Sequence, residues 1–214
     1  MTLTRRYFIR SVGIAVASLV MARCIPSGGK DDSPPGGKDD SPRGRLRHCW
    51  LRLDWLAQQA REISSPENYE QVEQARDELF AEHRAALDDL VAAGELDAAV
   101  ADQMQVAFAE AAFHVWRSNA PITCYEALPV EYVARDDLIQ QAELLREAAS
   151  DLDPAVVEEV QAAIARDIAF FEAAAGPEAG FELIEQFEAG EIEASPEAIE
   201  AAHFLVDLLL GETA

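Results

Sequence analysis

From Leu46 onward the apolar residues recur at steps of three and four, the spacing of a single helical face. Leu46, Cys49, Leu53, Leu56, Ala60 and Ile63 form the first such stripe. Ser65-Pro66-Glu67 then supplies a capping hydroxyl, a proline suited to the first helical position and an acid near the positive end of the helix dipole. A second helix follows through Val72, Ala75, Leu79, His83, Leu87 and Leu90, ending near Gly94. The third carries Leu96, Val100, Met104, Phe108, Ala111 and Val115, with Val106 and Phe113 on a second face. Apolar residues on two faces predict a central, buried helix, which stops before Pro121. Leu138, Ala142, Leu145, Ala149 and Leu152 mark a fourth. Asp153-Pro154 opens a fifth through Val157, Val160, Ile164, Ile168 and Phe171, and Gly176-Pro177 closes it. Phe181, Ile184 and Phe187 give a short sixth, and Ser195-Pro196-Glu197 starts a seventh through Ile199, Ala202, Val206 and Leu209. Strand-like alternation and hairpin dipeptides are absent, and no named repeat is matched. The expectation is an all-α helical bundle of about six to seven helices.

The bundle is preceded by a different kind of sequence. Gly-Gly-Lys-Asp-Asp-Ser-Pro occurs twice, from Gly28 to Pro34 and from Gly36 to Pro42. With almost no apolar surface to bury it cannot offset its ordering entropy, so residues 24–44 are expected to be a disordered linker and 45–214 the helical domain. A flexible linker of this length reaches roughly 25 Å, enough to hold a domain off a membrane. Paired aspartates in it resemble calcium-loop fragments only in part, since the other ligands of such a loop are missing.

Residues 1–23 combine a charged start with a weakly apolar stretch from Ser11 to Ala22, the make-up of an export signal. The segment resembles a twin-arginine (Tat) signal, whose pattern is Ser/Thr-Arg-Arg-x-Phe-Leu-Lys. Thr4, Arg5, Arg6 and Phe8 match, and Ile9 and Arg10 are like-for-like replacements. That resemblance implies passage through the Tat translocase in a folded state and a working place outside the cytoplasm. Its end has two readings. Met21-Ala22-Arg23-Cys24 resembles a lipobox, which would make Cys24 a lipidated N-terminus, although Arg23 is not the small residue a lipobox prefers. The other reading is cleavage after Ala22.

Charge narrows the function classes. The chain has 17 Lys+Arg against 40 Asp+Glu, a net charge of −23. Residues 1–23 hold four arginines and no acid, so the remainder carries 13 bases against 40 acids. Such a surface repels phosphate, which excludes a nucleic-acid partner, and contact with a membrane is expected only through a lipid anchor. A basic partner remains compatible, as does a plainly solvated acidic face.

Chemistry-bearing residues are few. Residues 112–132 concentrate Trp116, Arg117, Asn119 and Tyr125 in what reads as a loop of roughly 16 residues, long for a helix–helix connection and therefore a candidate partner-binding segment. Glu110, His114, Glu200 and His203 are weak candidate metal ligands. A di-iron bundle needs two Glu-x-x-His motifs, and only Glu200-x-x-His203 is present. No other cofactor signature occurs. Cys124 with His114 has the residue types of a nucleophile and base, but nothing orients the base or builds an oxyanion hole. Once Cys24 is lipidated or removed, Cys49 and Cys124 are left either to pair in an oxidising compartment, stabilising by about 4 kcal/mol on the loop-entropy model, or to remain buried thiols. The sequence thus points to an exported, non-enzymatic helical domain that binds a protein partner outside the cytoplasm. An accessory subunit of a Tat-exported redox enzyme and a helical-bundle metal-binding protein are the alternatives.

Overall fold

The computed structural model describes residues 39–119, 131–148, 152–175 and 181–211. Within them the chain is helical throughout, with no strand. α1 (Pro42–Leu51) and α2 (Leu53–Arg61) share the first predicted stripe but are divided at Arg52. Arg52 keeps right-handed dihedrals, so the break is a kink rather than a turn. Leu46, Cys49, Leu53, Leu56 and Ala60 are all buried across it.

α1 begins earlier than its apolar stripe suggests. Ser41, the last serine of the second linker repeat, accepts a hydrogen bond from the Gly44 N–H at 3.0 Å, and Pro42 occupies the first helical turn. The end of the expected linker, residues 42–44, is therefore helix. Gly44 is required there because a Cβ would run into Asp39.

α3 (Pro66–Ala93) starts on the Ser65 cap and ends at Gly94, whose φ of 73° is the left-handed conformation that glycine adopts without strain. Its 28 residues make the longest element of the fold, about 42 Å at 1.5 Å per residue. α4 (Ala98–Asn119) is the centre. It packs against α2 and α3 on one side and α5 (Glu131–Ala148), α6 (Pro154–Ala174) and α8 (Pro196–Leu210) on the other. Val100, Met104, Phe108, Ala111 and Val115 are buried together with Ala101, Ala107 and Ala112, and these small residues let neighbouring helices approach closely. Val106 does not join them. It is 38% exposed, whereas Phe113 two turns further along the same strip is partly buried against the core and lies under the Arg135 guanidinium of α5. α7 (Phe181–Ala189) is short and packs on α6, burying Phe187. Asp153 caps α6 and Ser195 caps α8.

Around Phe108 the core is aromatic. The His83 ring stacks on Phe108 with centroids 4.1 Å apart, and Trp50 meets Phe108 edge-on at 5.3 Å. Burial pushes the His83 pKa down to about 4, so the ring is neutral, and its Nδ1 lies 2.8 Å from Gln105 Oε1. This histidine is a core residue. One core group is out of character. Asp167 of α6 is fully buried, neither carboxyl oxygen has a hydrogen-bond partner among the described residues, and Arg166 Nη2 comes no nearer than 4.0 Å. Burial raises its pKa well above the usual carboxylate range, and Asp137 on α5 adds a like charge to the same effect.

Candidate functional site

Three of the four residues expected on a long binding loop are placed on a helix instead, and the fourth, Tyr125, lies outside the described residues. α4 continues to Asn119, so Trp116, Arg117 and Asn119 belong to its last turns and only residues 120–130 separate it from α5. Trp116 is buried, edge-on to Tyr69 at 5.5 Å, with the Arg76 guanidinium 4.7 Å from its ring. It anchors α3 to α4 and presents no binding surface. The Arg117 guanidinium lies 5.9 Å from the Phe113 ring. Asn119 finishes the helix: Nδ2 donates to the Val115 carbonyl at 2.7 Å, and Oδ1 accepts from Arg61 Nε at 2.6 Å. Tyr125 and Cys124 lie outside the described residues, as do Arg5, Arg6, Phe8 and Cys24. Cys49 carries a free, buried thiol whose pKa burial pushes up to about 12.

A metal site from Glu110, His114, Glu200 and His203 is not assembled. Glu110 is paired with Arg135, while Glu200 and His203 are exposed on α8. No group of three or more His, Cys, Asp or Glu side chains that could hold a metal forms among the described residues. His114 is buried on the inner face of α4 instead, where it helps to line a cleft.

That cleft is more enclosed than the larger, shallow groove beside Ile63, Tyr69 and Glu73. It measures about 450 Å³ and is walled by α2, α4 and α5, with the ends of α1 and α8 contributing Trp50 and Leu209. Small-molecule sites occupy ~300–1,000 Å³, so the size is that of a binding pocket. Asp54 and Arg146 close one side with an ion pair of 2.7 Å. Asp136 accepts from Gln140 Nε2 at 2.7 Å. Glu143 lies between these groups, and its carboxyl is raised above the usual range first by burial and then by the Asp54 charge.

Serine, histidine and aspartate meet here, but not as a hydrolytic triad. Ser118 Oγ is 3.3 Å and Asp136 Oδ1 3.7 Å from the same His114 nitrogen, Nε2. A triad needs the acid on Nδ1, so that Nε2 is left to take the proton from the hydroxyl. Here Ser118 and Asp136 both face Nε2, so these three side chains are not arranged in that order.

Sequence reasoning placed His114 but missed Asp54, Asp136, Glu143 and Arg146. On their own helices these read as ordinary polar faces, and only the packing of α2 against α4 and α5 turns them toward one cavity. No family model matches the chain, and no curated protein or solved structure is similar to it.

Proposed function

We propose that the chain is an exported helical domain, either lipid-anchored through Cys24 or released by cleavage after Ala22, and preceded by a Gly/Pro/Asp-rich tether, that binds a partner outside the cytoplasm without catalysing a reaction. Export rests on Arg5, Arg6 and Phe8 and their match to a Tat signal. The binding role is carried by one observation: a pocket-sized cleft that combines an apolar floor with the buried His114 and the half-buried Glu143. A few polar groups over an apolar floor are the usual make-up of a recognition pocket.

A photo-reactive side chain at Gln140, an exposed residue on the cleft rim, tests this in the full chain. It should cross-link one defined species in the exported fraction. The same group at Val106, which is exposed but does not line the cleft, should not. Equal labelling from both positions would contradict a binding role for the cleft.

A further inference from the structure

The cleft has a two-part chemistry. Trp50, Leu53, Val115 and Leu209 form its floor and are all buried. Three carboxylates stand around that floor, on Asp54, Asp136 and Glu143. The two arginines beside them are engaged: Arg146 with Asp54, and Arg61 with Asn119. Glu143 is half-buried, and the favourable charge of Arg146 is outweighed by burial and by the Asp54 carboxylate beside it.

We propose that this cleft binds an aliphatic cation, with a hydrocarbon stem lying on Trp50 and Val115 and an ammonium or guanidinium head between Glu143 and Asp136. The inference rests on the binding-domain reading above and names its ligand class. With Arg146 already paired to Asp54, an anion would meet the carboxylates of Asp136 and Glu143 with only Arg61 left to offset them. A neutral apolar ligand would fill the floor and desolvate the acids without compensating them, which is costly. A basic chain satisfies both halves, because its methylene stem packs on apolar surface while its head stays at the polar edge. The same head is presented by a free alkyl amine or guanidine and by a Lys or Arg side chain of a partner protein.

Isothermal titration of the full chain with two probes, agmatine and a capped Ala-Arg-Ala tripeptide, tests the proposal and separates the two sources. Saturable binding of at least one probe is expected, weakened about tenfold by Glu143→Gln and again by high salt. n-Butanol and butyrate, which keep the stem and lose the positive head, should give no saturable signal. Preference for the tripeptide assigns the site to a partner's basic side chain, and preference for agmatine to a free cation. Asp136→Asn is the second variant should Glu143→Gln fail to fold, as judged by its thermal transition. No saturable binding of either probe, or undiminished affinity in the folded variants, overturns the inference. If Gln140 still cross-links a partner in that case, the binding role stands and the ligand class falls.

Discussion

Asp167→Asn should stabilise the protein, and by an amount that depends on pH in a calculable way. The wild-type carboxyl is fully buried with neither oxygen hydrogen-bonded among the described residues, so the folded state favours its neutral form. In the unfolded chain the same group titrates near the ordinary aspartate value of 3.8. Below that pH both states hold the proton and the group contributes nothing to the balance. Above it the unfolded chain releases the proton while the folded chain retains it, so unfolding is increasingly favoured as pH rises. The loss is about 1.4 kcal/mol per pH unit across the window between the unfolded and the folded pKa. Asparagine has nearly the same shape and cannot ionise. Its own buried amide cost is independent of pH, so the difference between variant and wild type isolates the titration. Urea unfolding followed by far-ultraviolet circular dichroism at about pH 4 and about pH 7 measures that difference. The expected result is a small change at the lower pH and a clearly larger gain at the higher. A difference that is the same at both pH values would refute the assignment of Asp167 as a buried, protonated acid.

Other consequences follow from the same packing. Cys49 should be inert to thiol reagents in the native protein and react fully on denaturation, because its thiol is buried and its pKa lies near 12; rapid native labelling would contradict the packing of α1. Deleting residues 25–38 should leave the thermal transition unchanged, whereas a deletion continued through Gly44 should lower it, since it removes the Ser41 cap, worth about 1 kcal/mol, and the first turn of α1. On the lipid-anchored reading, Cys24→Ala should move the exported protein from the membrane to the soluble exported fraction; unchanged membrane association would remove the lipid anchor from the account.

How much of this was legible in the sequence varies with the kind of information. The apolar stripes located every helix, because a step of three or four is local and survives any tertiary arrangement. Serine-proline pairs at Ser65-Pro66 and Ser195-Pro196 marked their helix starts for the same reason. The identical signal at Ser41-Pro42 was hidden by the linker repeat that contains it, and the first helix was accordingly expected at 45. Periodicity also could not say that α4 would leave Val106 exposed while covering Phe113 on the same strip, since that depends on which neighbours surround each. Asp167 did leave a trace: it stands three residues after Ile164 and four before Phe171, on the apolar stripe of α6. The cleft left none. Asp54, Asp136 and Glu143 come from two helices far apart in the chain, and only tertiary packing brings them together.

The central claim is that this domain works outside the cytoplasm, and the most direct measurement is where the chain is found when its arginine pair is changed. Wild-type protein should appear in the exported fraction in a processed form lighter than the precursor. With Arg5 and Arg6 both replaced by lysine, the account predicts unprocessed precursor retained in the cytoplasm. Normal processing and export of that double variant would contradict it.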